Sequence, residues 1–202
     1  MTTTSVDGAE PQLLISGERA ALGPLRADLV PHYQRWVNDR EVARGLGAIN
    51  VWTEEAERGW YERVSREESG RNVNFTIYDQ DDLAPVGTTG LFGVDHHHGR
   101  ATFGIMLGER RGQGLGTEAT RLVLEWGFTV LGLYNIALHV WEWNPAAIRA
   151  YTKAGFREIG RRRGGAVVMG RRFDEVAMDA IAPEFQGSSL TALVPEGGRP
   201  LA

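Results

Sequence analysis

A run of glycines in the middle of the chain separates two different hydrophobic patterns. From Ala101 to Leu107 apolar residues recur at every second position, which is the period of a β-strand with one buried face. Beyond Gly116 the apolar residues recur at the spacing of one helical face, namely Ala119, Leu122, Val123, Trp126 and Val130. The sequence therefore predicts a strand, a glycine-rich loop and a helix over residues 117–131, in that order.

A second strand and helix are predicted directly afterwards. The strand is indicated by the alternating apolar residues Ile136, Leu138 and Val140. Asn144 is a favourable N-cap and Pro145 suits the first helical position, so a helix is expected to begin there. Gly155 stands where a left-handed residue would end that helix.

Further helices are predicted in the first half of the chain. Helical patterning covers residues 27–46 and is interrupted at Pro31 and Asp39. Another helix is expected to begin after Thr53, because this threonine is followed by two glutamates in the first turn. A short strand is expected near residues 17–25, ahead of both helices.

The remaining segments alternate and predict strands. They cover residues 73–77, 85–94, the segment from Phe156 onward, 166–169 and 173–180. The resulting order is β-α-α-β-β-β-α-β-α-β-β. This order predicts an α/β fold of the α+β kind, in which helices pack on both faces of a mixed, mostly antiparallel sheet.

The size and composition fit one ordinary domain. The 202 residues suffice for one core, which we place at residues 12–185 between loose segments at residues 1–11 and 186–202. The net charge of −4 argues against a general nucleic-acid binder, and the absence of cysteine removes disulfides and thiolate nucleophiles. No apolar run approaches the ~20 residues of a membrane span, and the N-terminus lacks a signal-peptide pattern. A cytoplasmic protein is expected.

The glycine loop does not fit the two best-known nucleotide loops. A P-loop requires Lys-Ser or Lys-Thr after its last glycine, whereas Thr117-Glu118 follows here. A dinucleotide fingerprint has the spacing G-x-G-x-x-G after the first strand of a parallel unit. Here Gly112, Gly114 and Gly116 give G-x-G-x-G in the middle of the chain. Both a P-loop and a dinucleotide-binding loop are therefore disfavoured.

A third pattern, R/Q-x-x-G-x-G/A, fits the segment from Arg111 to Gly116 at every fixed position. Glycines let successive N–H groups approach a pyrophosphate, and the positive end of the following helix adds to the attraction. Arg110 and Arg111 would supply positive charge at the rim. The alternative is a tight strand-to-helix turn that holds no ligand.

Four ordered segments resemble the GNAT acetyltransferase superfamily, specifically its RimJ/RimL-like branch. They read GERAALGPLRADL, FGIMLGERRGQGLGTEATRLVLEWGF, VWEWNPAAIRAYTKAGFREIGRRR and GRRFDEVAMDAIAPEF. The resemblance runs from about Leu14 to Phe185. It implies an N-acetyltransferase that uses acetyl-CoA as co-substrate and no metal.

The resemblance also implies where the cofactor lies. The strand before the glycine loop splays from the next strand, and the pantetheine arm inserts between them. Backbone groups for that arm would come from Ile105, Met106 and Leu107. The pyrophosphate would be held at the rim by Arg110 and Arg111, and within the loop by Gly112, Gln113, Gly114, Leu115, Gly116 and Thr117. Asn144 matches the asparagine that contacts CoA near its thiol end.

The chemistry implied by the resemblance is direct transfer in a ternary complex. Tyr151 matches the tyrosine that protonates the departing thiolate. Some relatives carry a glutamate two residues before the glycine of FGIM, where this chain has Thr102. The general base is therefore unassigned, and Glu142 or a chain of water molecules are the candidates.

The acceptor is not specified by the sequence. It is expected to be a primary amine on a protein or peptide N-terminus, a polyamine, an amino-sugar antibiotic or another metabolite. The helices around residues 28–64 and the loops near residues 95 and 143 would build its pocket. A non-catalytic acyl-CoA-binding or sensory module on the same fold is the alternative. No membrane or nucleic-acid partner is expected, and a homodimer remains open.

Four further features are interpreted conservatively. The histidines at positions 96–98 predict a polar hairpin tip in preference to a metal site, because neighbouring strand residues point to opposite faces. His139 is interpreted as a packed or surface histidine. Trp141 and Trp143 line an acceptor pocket or simply pack. The arginines at 161–163 and 171–172 predict a solvated hairpin, with docking of an acidic partner or RNA as the alternative.

Overall fold

The computed structural model describes residues 10–47, 50–67, 69–187 and 190. The strands are β1 Ile15–Ser16, β2 Ala20–Pro24, β3 Val73–Asp79, β4 Pro85–Asp95, β5 Arg100–Leu107, β6 Asn135–Trp141, β7 Arg157–Val168 and β8 Arg171–Ile181. The helices are α1 Val30–Val37, α2 Arg40–Leu46, α3 Glu54–Ser65, α4 Leu115–Glu125 and α5 Pro145–Ala154. Shorter helical turns cover Ala27–Leu29, Trp126–Val130 and Ala182–Glu184.

The strands described form one sheet in the order β1-β2-β3-β4-β5-β6-β8-β7. Neighbouring strands are antiparallel except β5 and β6, which run parallel. The chain between these two strands passes through α4, which supplies the crossover that a parallel pair requires. The predicted mixed, mostly antiparallel sheet is confirmed.

Two clusters of buried side chains lie on the two faces of the sheet, because side chains alternate along each strand. On β3, Phe75 and Ile77 pack in the cluster that contains the apolar faces of α4 and α5. Tyr78 packs instead with Tyr33 of α1, in the cluster that Trp60 of α3 also joins. The predicted placement of helices on both faces is therefore confirmed.

Capping residues set the start of α2 and of α3, although only Thr53 of the two was predicted as a cap. Thr53 Oγ1 accepts a hydrogen bond from the N–H of Ala56 at 3.1 Å and caps α3. Asp39 ends the first stretch of helical patterning because its carboxylate caps the N-terminus of α2. Pro31 was expected to interrupt this patterning and lies instead in the first turn of α1, where a proline needs no N–H partner.

Three boundaries differ from the predictions. The helix after the glycine loop begins at Leu115 and not at 117, because Gly114 takes a left-handed conformation with φ of +90° and serves as its N-cap. This helix ends at Glu125 and continues as a π-helical turn to Val130. The strand predicted at residues 17–25 is confined to β2.

The last strands also differ from the prediction. The separate strands expected after Phe156 and at residues 166–169 are one long strand, β7. The pairing register shifts between Arg162 and Ala166, close to where the sequence predicted the break between the two strands. The segment pairs along its length with β8.

The proposed chain ends fall almost entirely outside the described residues. This holds for residues 1–11, of which 10 and 11 are described, and for residues 186–202, of which 186, 187 and 190 are described. The single domain at residues 12–185 stays a prediction. Among the helices that are described, none is long and apolar enough to cross a bilayer.

A buried carboxylate on α3 gives a prediction about stability. Glu57 is only 5% exposed, and its carboxylate forms no hydrogen bond or ion pair with another described residue. Burial raises the pKa of its carboxyl group. A raised pKa favours the folded state at low pH, and this contribution is lost as the pH rises through the folded-state pKa.

We expect Glu57→Gln to stabilise the protein at neutral pH by about 1 kcal/mol, or about 2–4 °C in melting temperature. The gain should vanish below a pH of about 4, where the unfolded carboxyl group is also protonated. Thermal unfolding at pH 7.5 and at pH 4 tests this, with Glu55→Gln on the exposed side of α3 as the control. An equal gain at both pH values would contradict the prediction.

Candidate active site

Strands β5 and β6 separate soon after they pair. Their register contains three residue pairs, Arg100 with Asn135, Ala101 with Ile136, and Thr102 with Ala137. Beyond Thr102, β5 continues along β4 while β6 continues along β8. Among the described strands, the edges of β5 from residue 103 and of β6 from residue 138 therefore face each other without pairing.

A cavity of about 490 Å³ occupies this gap. It is lined by seven of the residues that the sequence proposed for the site, namely Ile105, Met106, Leu107, Arg111, Gly116, Asn144 and Tyr151. Residues 138–141 of β6 form the opposite edge. The structure thus brings together the strand, the loop and the second helix that the sequence predicted separately.

The glycine loop presents unpaired backbone donors. Gly112 and Gly114 adopt left-handed conformations with φ of +83° and +90°. Within the described part of the chain, no acceptor meets the N–H groups from Gly112 to Gly116. No side chain caps α4, whose N-terminus begins in this loop. Free N–H groups at a helix N-terminus suit a phosphate or another anion.

The two arginines before the loop are already paired. Arg110 donates to Asp82 at 2.6 Å and also to Asp79, and these carboxylates raise the pKa of its guanidinium. Arg111 lines the cavity and donates to Asp39 at 3.1 Å. Arg110 therefore ties the loop to the turn after β3, whereas Arg111 remains at the cavity. A phosphate contact from Arg110 stays a prediction.

A third arginine lies at the loop and was not singled out from the sequence. Arg19 Nη1 donates to the carbonyl oxygen of Gln113 at 3.1 Å. A Cβ atom at Gly114 would lie 3.3 Å from the same nitrogen. Arg19 forms no ion pair with any other described residue, so its charge is available at the loop. Its position 94 residues before Gln113 explains why no local pattern linked them.

Asn144 holds the start of α5 at the cavity. Its side-chain oxygen accepts a hydrogen bond from the N–H of Ala147 at 3.2 Å, which confirms the predicted N-cap. Pro145 follows in the first turn, and Gly155 ends the helix in a left-handed conformation, as predicted. The amide nitrogen of Asn144 lies against Gly45 of α2. Asn144 can therefore cap α5 and also contact a ligand in the cavity.

Tyr151 faces the cavity from α5. Its ring packs edge-on against Phe103 and Phe156, with ring centroids 6.0 Å apart in each case. Its hydroxyl group meets no hydrogen-bond partner among the described residues, and burial raises the pKa of Tyr151 to about 12. The hydroxyl is thus protonated at physiological pH and free to donate a proton to a group in the cavity.

Glu142 does not reach the cavity. Its carboxylate accepts a hydrogen bond from the backbone N–H of Asp174 on β8 at 2.7 Å, and it is not among the lining residues. Glu142 as general base therefore stays a prediction that this geometry does not support. Its neighbour Trp141 does line the cavity, and Trp143 stacks on Trp141 with ring centroids 5.0 Å apart.

Helix α2, one of the helices that the sequence proposed for the acceptor pocket, covers one side of the cavity. Glu41, Val42, Arg44, Gly45 and Leu46 line it. The carbonyl oxygen of Arg44 accepts a hydrogen bond from the indole N–H of Trp143 at 3.0 Å. Gly47 lies so close to Trp141 that a Cβ atom there would be 2.5 Å from the indole nitrogen. Glycines thus allow close contact between α2 and the end of β6.

The remaining histidines and arginines that the sequence singled out lie at exposed positions. Residues 96–98 lie in the turn between β4 and β5, where His98 Nδ1 lies 2.9 Å from Asp95. The predicted hairpin tip is confirmed. His139 is exposed and lines the cavity. The arginines of β7 and β8 lie on an exposed hairpin, as predicted.

Comparison with known proteins identifies a family for this chain. Residues 19–157 match the family model described as Acetyltransferase (GNAT) domain. The spermidine N(1)-acetyltransferase of Escherichia coli (strain K12) is 42% identical over 76 residues, which cover 37% of this chain and 41% of that protein. The chain therefore spans about two-fifths of the length of this curated relative. The Homo sapiens alpha/beta-tubulin-N-acetyltransferase 9 is 29% identical over 162 residues, 72% of this chain and 76% of that protein.

Solved structures share the fold. The spermidine N-acetyltransferase from Vibrio cholerae in complex with CoA and spermine superposes with a TM-score of 0.76 at 22% identity. The superposition covers 84% of this chain and 99% of that chain. An acetyltransferase of the GNAT family from Bacillus anthracis superposes with a TM-score of 0.72 at 19% identity. Since the family model spans more than half of the sequence, the chain belongs to the GNAT acetyltransferase family.

Proposed function

We propose that this chain is an N-acetyltransferase that moves an acetyl group from acetyl-CoA to a primary amine of a small metabolite. The observation that carries the proposal is the gap between β5 and β6, with free loop N–H groups at one end and the Tyr151 hydroxyl inside. Membership of the GNAT family and relatives that bear the name spermidine N-acetyltransferase support it.

The residues present fit the parts of acetyl-CoA. The free N–H groups from Gly112 to Gly116 and the guanidinium of Arg19 suit the diphosphate. The unpaired edge of β5 at Ile105, Met106 and Leu107 suits the amide groups of the pantetheine arm. Asn144 would lie toward the thiol end, because it caps the helix that carries Tyr151 at the cavity. When bound, acetyl-CoA supplies the thioester that is consumed in the reaction.

The chain's own groups would then act on the reacting atoms. An uncharged amine attacks the thioester carbon, and a free backbone N–H along β5 stabilises the oxygen that gains negative charge. Tyr151 donates its proton as the carbon–sulfur bond breaks. No acyl-enzyme is formed, which agrees with a sequence that contains no cysteine.

The acceptor would enter from the side of α2 and α3. A second cavity of about 210 Å³ shares Gly104, Ile105 and Met106 with the first. Trp60 of α3 and Phe92 of β4 form its apolar walls, and Asn74 is also in its lining. An amine whose carbon chain lies against these rings would point its nitrogen toward the gap. The named relatives make spermidine and spermine the first acceptors to test.

The finer predictions from the sequence belong to this proposal. One of them is membership of the RimJ/RimL-like branch. The relatives that are named for spermidine favour a polyamine over a protein N-terminus as the acceptor. A cytoplasmic location and a homodimer stay predictions as well. The non-catalytic CoA-binding module is disfavoured by Tyr151, whose hydroxyl is free inside the cavity.

Release of free thiol from acetyl-CoA tests the proposal. The panel contains spermidine, spermine, 2-phenylethylamine and a short peptide with a free N-terminus, and mass spectrometry identifies the acetylated product. We expect thiol release that depends on a small amine and equals the amount of acetylated amine. Tight CoA binding without turnover on any amine would indicate the non-catalytic module instead.

A further inference from the structure

We propose that His139 on β6 is the general base that takes a proton from the ammonium group of the acceptor. This inference rests on the proposed function. It assigns the general base, for which the other positions are unsuitable. The carboxylate of Glu142 is held by Asp174, and Thr102 has no group that can act as a base. An amine that is charged at neutral pH must lose a proton before it can attack the thioester.

The position of His139 follows from alternation along β6. Leu138 and Val140 are buried in the cluster that includes the inner faces of α4 and α5. His139 and Trp141 therefore point to the opposite face of the sheet. Trp141 contacts Gly47 at the end of α2 on that face. His139 thus lies on the acceptor side, and it lines the cavity with an exposed side chain.

His139 is also the lining residue whose chemistry suits a base. The titratable residues that line the cavity are Glu41, Arg44, Arg111, His139 and Tyr151. Arginines stay protonated, and the pKa of Tyr151 is about 12. The carboxylate of Glu41 is 77% exposed and lies 3.5 Å from Arg111. Imidazole is the side chain that most often serves as a general base, and His139 has no hydrogen-bond partner among the described residues.

Charged groups surround His139 on several elements. On β8, Glu175 and Asp179 share its face beside Ala177, which lies directly opposite His139. Glu175 is paired with Arg162 at 2.8 Å, and Asp179 accepts from the amide of Asn135 at 2.8 Å. The other charged groups are Glu41 and Arg44 on α2 and Arg111 of the glycine loop. Because these carboxylates are already paired, the imidazole ring of His139 is the group that can accept the proton.

The proposed step accounts for every proton and for every bond that forms or breaks. A ring nitrogen of His139 takes one proton from the ammonium group and later passes it to solvent. The freed lone pair forms the carbon–nitrogen bond, the carbon–sulfur bond breaks, and the thiolate takes the proton of Tyr151. The new amide nitrogen then loses its second proton, which restores the Tyr151 hydroxyl. The net products are the acetylated amine, free CoA thiol and one proton.

The test compares His139→Gln with the wild-type protein across pH 6 to 9.5, at saturating acetyl-CoA. We expect kcat/KM for the amine to fall by ~10²-fold at pH 7. The loss should shrink as the pH rises, because solution then supplies uncharged amine. The affinity for CoA should be unchanged, which also shows that the variant is folded. Lys153→Gln, at an exposed position near the end of α5, is the control and should behave as wild type.

Three results would overturn the inference. The first is an unchanged kcat/KM in His139→Gln. The second is a loss that is the same at every pH and accompanies weaker CoA binding, which would indicate a structural role. The third is a pH-dependent loss in Glu41→Gln in place of His139→Gln. Absence of acetyl transfer by the wild-type protein would instead overturn the proposed function, and with it the need for a base.

Discussion

Tyr151→Phe is expected to lower kcat by ~10²–10⁴-fold while the affinity for acetyl-CoA stays unchanged. The substitution removes only the hydroxyl group, so the ring contacts with Phe103 and Phe156 are kept. Without that hydroxyl the thiolate must leave unprotonated, which is the costly step. Steady-state rates of thiol release and calorimetric titration with acetyl-CoA measure the two quantities.

The pH dependence of the wild-type rate adds to this prediction. Because burial raises the pKa of Tyr151 to about 12, the acid stays protonated throughout the accessible range. The rate should therefore show no decline up to a pH of about 10, because the acid keeps its proton over that range. Tyr134→Phe, in an exposed position before β6, is the matched control. A kcat for Tyr151→Phe close to that of the control would contradict the role of general acid.

Gly114→Glu is expected to weaken acetyl-CoA binding by roughly 10²-fold or more, which corresponds to about 3 kcal/mol. Gly114 has φ of +90°, a conformation that disfavours any side chain. The added carboxylate would lie beside Arg19 and the free N–H groups of the loop, where it competes with the diphosphate. Calorimetric titration with acetyl-CoA measures the loss.

Two comparisons separate charge from backbone strain in this prediction. Gly114→Ala carries the strain without the charge and should lose less affinity. S-acetyl-pantetheine lacks the diphosphate, so its weaker binding should be nearly the same for Gly114→Glu and for wild type. Wild-type affinity for acetyl-CoA in Gly114→Glu would show that the loop does not bind the diphosphate.

Local sequence rules predicted most of the elements that build the site. Capping by Thr53 and Asn144 and the left-handed end at Gly155 depend on neighbouring residues only, and all three are confirmed. The change of period after the glycines correctly placed a helix beyond β5. The start of that helix was wrong by two residues, because it depends on the backbone conformation of Gly114.

The contacts that complete the site join segments far apart in the sequence. Arg19 reaches the glycine loop, and α2 reaches the end of β6 through Gly45 and Gly47. Nothing in the pattern of residues 40–47 indicates that partner. Glu142 was a reasonable base from its place in the chain, but its side chain is held by Asp174 of β8, 32 residues later. Sheet order and register decide such contacts, and neither can be predicted from the local hydrophobic period.

The crystal structure of the protein with acetyl-CoA tests the central claim most directly. We expect the pantetheine arm between residues 103–107 of β5 and 138–141 of β6, with the thioester beside Tyr151. The diphosphate should contact the N–H groups from Gly112 to Gly116. Acetyl-CoA bound elsewhere, or β5 and β6 paired along their whole length with the ligand outside, would contradict the account.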